Sequence, residues 1–290
     1  MHEQGGLPLP GIVHVAQPYW FGEGGDLDPT EFGLKTARSV EEKILELGPE
    51  KVAAFIGEPV QGAGGVIIPP ETYWPEVQRI CDKYGILLIA DEVICGFGRT
   101  GNWWGFETLG IEPDIIPMAK GLSSGYAPIG AVAIADHVID VIDASGGEFA
   151  HGFTYSGHPV ACAVALENIR IFEEEDLVGN VQKIAPHFSS RLQSLADHPL
   201  VGEVRSIGLL GAIELVKDKS TRQRFEEVGR AGGLCRDHCM ANDLIMRACR
   251  DTMVLSPPLV ITEEEIDDLI DRARRALDAT YDDLKPEMDQ

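Results

Sequence analysis

Two residues in this sequence have types and placements that could carry covalent chemistry. Asp91 follows the apolar run ILLIA (86–90), and Lys120 closes DIIPMAK (114–120). If the two runs are neighbouring strands, both side chains stand at strand tips. Pyridoxal 5'-phosphate (PLP) needs such a pair. A lysine ε-amine forms a Schiff base with its aldehyde, and an aspartate opposite the pyridinium nitrogen keeps that nitrogen protonated, so the ring can act as an electron sink. A solvated lysine after a strand and an aspartate capping a turn fit the spacing equally well. Glu58, at the end of VAAFIG (52–57), is a third ionisable residue at such a tip.

A competing chemistry lies in the stretch IADEVICGFGRTG (89–101), where Gly96, Gly98 and Gly101 spell G-x-G-x-x-G and Asp114 follows at roughly the spacing of a ribose-binding acid. A dinucleotide loop requires a helix that opens at the third glycine, so that its N–H groups face the pyrophosphate. Here the continuation is NWWGFETLG (102–110), aromatic and turn-like, and Asp91 and Glu92 would repel a phosphate. The dinucleotide reading is therefore disfavoured.

Those side chains need elements to hold them, and the composition supplies a substantial core. The chain has 290 residues, 44% of them apolar, enough for one large or two smaller domains. A formal net charge of −23 argues against nucleic acid or anionic membrane surfaces as partners. The six cysteines contain no C-x-x-C pair, which suits reduced thiols in the cytoplasm. Cys235, His238 and Cys239 could share a helical face, but no second ligand cluster accompanies them, so no metal is expected. No signal-peptide pattern and no membrane-length apolar run is present, and a cytoplasmic, soluble protein is expected.

Asp28-Pro29-Thr30-Glu31 is a helix-start signal, with Gly48-Pro49 as the stop. Tyr73, Val77, Ile80, Cys81 and Tyr84 recur at helical spacing before Gly85. Alternation of such helices with the runs at 52–60, 86–93, 114–120 and 130–136 predicts a parallel sheet covered on both faces, with its ligand beyond the carboxyl ends of the strands. After a loop and long helix over 153–176 the character changes. Leu177, Val181, Ile184, Phe188, Leu192 and Leu195 mark a helix, 201–216 reads as a β-hairpin, and Thr262-x-x-Glu265 caps a last helix. This predicts an α/β domain over residues 1–170 and a smaller α+β domain over 171–290, hinged on the long helix.

The segment LLIADEVICGFGRTGNWWGFETLGIEPDIIPMAKGLSSGYAPIGAV (87–132) closely resembles the signature of class III aminotransferases, PLP enzymes of fold type I. EPVQGAGG (58–65), FTYSGHPVAC (153–162) and LSPPLVIT (255–262) resemble further blocks of that family in the same order. The resemblance implies PLP as cofactor, Lys120 as the Schiff-base lysine and proton shuttle, Asp91 as the pyridinium partner and Val93 as a residue packed on the ring. It implies that Thr154 reaches the phosphate of a neighbouring subunit's cofactor in a homodimer with shared sites, and that Arg247 binds a substrate carboxylate. Its competing reading is a surface arginine on a strand. Glu58 is expected to face the site, in substrate binding or a role not fixed by the resemblance; His151 and His158 are expected to serve the loop and helix start.

Two departures qualify the resemblance. Ile94 stands where many members have a glutamine that bonds the cofactor's phenol oxygen; the wording around it resembles the omega-amine branch, which implies amino transfer from an omega-amine, diamine or amino acid to pyruvate. The family's phosphate-binding glycine-serine turn and ring-stacking aromatic have no counterpart here, so the chain is expected to be the C-terminal portion of such an enzyme, with an incomplete large domain and weak PLP binding alone. Three alternatives stay open: an impaired remnant that folds or dimerises only, a racemase or aminomutase of the same fold, and, distantly, a nicotinamide dehydrogenase.

Overall fold

The structure, a computed structural model, describes residues 9–146 and 149–288. After a short helix α1 (Trp20–Glu23), α2 (Pro29–Leu47) begins where its start signal places it: the Asp28 carboxylate accepts the Glu31 N–H at 3.0 Å and Pro29 occupies the first turn. Helix α3 (Tyr73–Tyr84) ends at Gly85, whose φ of +64° is the left-handed conformation that glycine adopts without penalty. Buried Val40 and Ile44 of α2 meet Val77 and Ile80 of α3 in one apolar layer, which also takes in Leu88.

That layer lies against a sheet of order β1-β2-β3-β4, formed by β1 (Ala54–Gly57), β2 (Leu87–Ala90), β3 (Ile115–Met118) and β4 (Ala131–Ile134). The first three strands are parallel, but β4 runs antiparallel to β3, pairing Ile115 with Ile134 and Met118 with Ala131. The sheet is thus mostly parallel, with β4 as its antiparallel member. The link between β3 and β4, residues 119–130, is a run of turns with no crossover helix to carry the chain back across the sheet, so β4 pairs with β3 in the opposite direction. The expectation of cover on both faces fails among the described residues. Phe55 and Leu88 point toward α2 and α3, while Ile56 on the other face is 59% exposed and Val132 of β4 57% exposed. The stretch 102–110, expected to be turns, contains a short helix α4 (Gly105–Leu109).

Beyond β4 come α5 (Asp136–Ala144), α6 (Pro159–Glu174) and α7 (Leu177–Gln193). The predicted hairpin is present as β5 (Val201–Ile207) and β6 (Leu210–Leu215). With β7 (Arg247–Cys249) and β8 (Thr252–Leu255) it forms a second, antiparallel sheet of order β5-β6-β8-β7, backed by α7, α8 (Arg230–Ala241) and α9 (Glu263–Met288). At the start of α9 the Thr262 N–H donates to Glu265 at 2.8 Å and the Glu265 N–H donates back to the Thr262 hydroxyl at 3.3 Å, the predicted cap.

Phe188 and Leu192 of α7, Ile213 and Leu215 of β6, and Ile266 and Ile270 of α9 are almost wholly buried in the main core. Phe97, Leu122 and Phe172 belong to the same cluster, so one apolar mass joins the two sheets. Phe172 of α6 is its pivot, with ring centroids 6.3 Å from Phe97 and 5.8 Å from Trp103. No helix among the described residues is long and apolar enough to cross a membrane.

Candidate active site

Because β1, β2 and β3 are parallel, their carboxyl ends open on one rim. Glu58 follows β1, Asp91 follows β2, and Lys120 lies two residues past β3. Backbone bonds knit the rim: the Asp91 N–H donates to Gly57 C=O at 2.9 Å, and the Glu92 N–H to Pro117 C=O at 3.0 Å. Asp91 Oδ1 in turn accepts the Val93 N–H at 3.1 Å, which sets the carboxylate's direction and places Val93 beside it.

Lys120 has a φ of +41°, a left-handed conformation that is uncommon outside glycine and that recurs at functional sites. The turn it opens is held from behind by α6: Asn168 Nδ2 donates to the carbonyls of Gly121 at 2.8 Å and Leu122 at 3.2 Å. The Lys120 side chain is exposed, and its amine has no hydrogen-bond or ion-pair partner among the described residues.

Glu58 accepts the Gly62 N–H at 2.9 Å. Burial raises its carboxyl above the usual range, the Gly62 bond opposes that rise, Asp91 adds to it and Lys120 offsets it. Asp91 and Lys120 are thus both within electrostatic reach of Glu58. Glu92 points the other way, fully buried, accepting the N–H groups of Gly105 at 2.9 Å and Phe106 at 2.6 Å. Burial pushes its carboxyl up to about 7 against those two donors.

The glycine stretch cradles nothing. Gly96 N–H donates to Glu92 C=O, Gly98 N–H to Trp103 C=O and Gly101 N–H to Gly98 C=O, so the amides a phosphate would need are spent inside the loop. Asp114, the would-be ribose acid, accepts the Leu88 N–H at 2.6 Å and pairs with His137 at 3.0 Å. Ile94 packs over Gly62, where any side chain would collide with it, and the Cys95 thiol donates to Val60 C=O at 3.4 Å. Ile94 therefore offers an apolar side chain at this point of the loop, with no amide to donate.

The structure gathers Glu58, Asp91, Val93 and Lys120. Thr154 lies in the exposed turns before α6, and Arg247 is the exposed first residue of β7, paired with Val254. Neither has a hydrogen bond or ion pair to the other four among the described residues. His158 is the residue preceding α6 and His151 packs against the rings of Phe149 and Phe153. Sequence reasoning missed Glu92 and Asn168. An acidic residue next to Asp91 was visible, but the helix start that receives Glu92 was not.

An unpaired primary amine and a directed carboxylate on the rim of adjacent strands are the donor set that PLP uses, so the residues present fit that group. The family model described as aminotransferase class-III matches residues 5–277. The chain belongs to the class-III aminotransferase family. It is 61% identical over 281 residues to the putrescine–pyruvate aminotransferase of Pseudomonas aeruginosa, covering 97% of this chain and 61% of that protein. With gamma aminobutyrate transaminase 1 of Solanum lycopersicum it shares 44% identity, covering 98% of this chain and 57% of that protein. The solved omega transaminase of Pseudomonas jessenii in complex with PMP superposes with a TM-score of 0.92 at 46% identity, covering 97% of this chain and 63% of that one. This class-III aminotransferase chain has the fold of type I PLP transferases and spans about three fifths of the length of these relatives.

Proposed function

We propose that the chain serves a PLP-dependent aminotransferase that moves an amino group from an omega-amine, diamine or amino acid to pyruvate. The observation that carries this reading is the unpaired Lys120 amine on the same rim as the directed Asp91 carboxylate. The 61% identity to a putrescine–pyruvate aminotransferase supports the choice of substrates. When bound, PLP supplies the electron sink for breaking the substrate's C–H bond.

Lys120 is the residue that would hold the cofactor, and its Nζ would serve as the proton carrier at the reacting carbon. Asp91, its carboxylate held in place by the Val93 N–H, would keep the ring nitrogen protonated, and the Val93 side chain would pack against the ring. Glu58 lines the amine side of the site. Arg247 receives the carboxylate of the 2-oxo acid, and Thr154 serves the phosphate in a partner copy, which makes the working unit a homodimer. The chain divides near residue 170, inside α6, into a cofactor-binding part and a smaller α+β part, and works in the cytoplasm.

The test is direct. Load the protein with PLP, reduce it with borohydride and map the peptides; the pyridoxyl group is expected on Lys120. An amino-transfer assay to pyruvate follows, with alanine as the product. Label on another lysine with Lys120 free overturns the site, and label on Lys120 without transfer to any 2-oxo acid overturns the reaction.

A further inference from the structure

The loop 61–67 joins the rim to the second sheet, and its backbone is under strain. Val66 is β-branched, completely buried and at a φ of +52°, a conformation that persists only where the surroundings impose it. The imposing group is Arg205 of β5. Its guanidinium donates from Nε to Val66 C=O at 2.8 Å and from Nη2 to Gly65 C=O at 2.6 Å, spanning two successive carbonyls.

Arg205 is itself fixed. Its side chain is 9% exposed and pairs with Glu214 at 3.1 Å and Glu203 at 2.5 Å. Glu214, 4% exposed on its side chain, also accepts the Thr252 hydroxyl at 2.6 Å. The far side of the loop faces the site: the N–H groups of Gly65 and Val66 both donate to Gly62 C=O at 3.1 Å, and Gly62 N–H donates to Glu58 at 2.9 Å. One residue, Gly62, thus stands between the clamp and the carboxylate on the rim, through its C=O on one side and its N–H on the other.

We propose that Arg205 is a positioning residue for Glu58, holding the strained Gly65–Val66 peptides so that the Gly62 N–H points at the Glu58 carboxylate beside Lys120 and Asp91. The placement of the second sheet is thereby transmitted to the reaction centre. The consequence for turnover rests on the aminotransferase reading; the coupling itself does not. The groups facing Glu58 are Asp91, Lys120 and the Gly62 amide, with the Cys95 thiol also within its field. Loss of the Gly62 donor removes the one hydrogen bond that favours the ionised form, so the Glu58 carboxyl must then titrate higher.

The experiment compares wild type with Arg205→Lys, Arg205→Met and, as a control that touches Glu214 and Tyr19 but not the loop, Arg224→Lys. A lysine cannot reproduce the two-carbonyl fork. Two readouts need neither cofactor nor turnover: the 13C carboxyl signal of Glu58, assigned by its loss in Glu58→Gln, and hydrogen exchange of the Gly62, Gly65 and Val66 amides. In Arg205→Lys the Glu58 titration is expected to move up by about one unit and those amides to exchange about tenfold faster, with neither change in Arg224→Lys. If Arg205→Met does not fold, Arg205→Lys decides. Unchanged titration and exchange in a folded Arg205 variant, or equal changes in Arg224→Lys, overturns the proposal whether or not the protein transaminates. With turnover in hand, a loss of kcat/KM in Arg205→Lys that disappears in the Glu58→Gln background supports it, and additive losses overturn it.

Discussion

Glu92 shows how a residue beside the site can govern stability without entering the chemistry. Its carboxyl lies at about 7, above the ordinary glutamate value, because it is buried. Below the unfolded pKa the group is protonated in both states. As pH rises from there toward 7 the unfolded chain releases the proton while the folded one keeps it, so stability falls across that window. The expected loss is up to about 3 kcal/mol, and Glu92→Gln should flatten that part of the profile; denaturant midpoints at pH 5 and pH 7 for both proteins check it, and equal slopes would place Glu92 elsewhere. Asp91→Asn acts differently. On the proposed function it would remove the anion that stabilises a protonated ring nitrogen, at about 1.4 kcal/mol per unit of pKa lost, so the transfer rate should fall far more than PLP occupancy. A rate within a few-fold of wild type would remove Asp91 from its assigned role. The positions of Glu58, Asp91 and Lys120 were legible because each ends an apolar run, whereas Asn168 and Arg205 act on carbonyls far away in sequence.

At the scale of elements, helix ends were the readable part because capping is local: Asp28 with Glu31, Gly85 and Thr262 with Glu265 all do what their residue types favour. Strand direction was not readable in the same way, since it depends on whether a helix carries the chain back across the sheet between strands, and β4 turned back. The β5-β6 hairpin makes a further contact that composition does not announce. Gly208 at its turn has φ +55°, and a Cβ there would lie 2.4 Å from the Arg99 carbonyl oxygen. Neither partner is a flexible side chain, so Gly208→Ala should destabilise the protein by about 2 kcal/mol or more through strain and overpacking. Thermal melts of wild type and variant measure this; a change below about 0.5 kcal/mol would mean that the hairpin is not seated on residues 99–100.

For the whole molecule, the main core decides cooperativity. Phe97, Leu122 and Phe172 are buried in the same cluster as the α7, β6 and α9 residues, so the two sheets should unfold together. All four tryptophans, Trp20, Trp74, Trp103 and Trp104, precede residue 170, while α7, α8 and α9 contribute much of the helix after it. Tryptophan fluorescence and far-UV circular dichroism should therefore give coincident denaturation curves. Separated midpoints would show two independent units meeting at α6. Phe172→Ala, which removes the ring between Phe97 and Trp103, should lower stability by about 3–5 kcal/mol and is the variant most able to pull the two curves apart.

By itself the sequence determined the periodic helices, the tips that carry Glu58, Asp91 and Lys120, and the family to which these blocks belong, because each is written in short-range spacing or in ordered local words. Tertiary structure alone decided that β4 runs antiparallel, that Glu92 caps α4 from a buried position, and that Arg205 of β5 grips the loop after β1. The first two depend on partners brought together within the first sheet and its rim, and the third on groups that meet only when the two sheets share one core; no local pattern encodes where a buried polar group will find its partner.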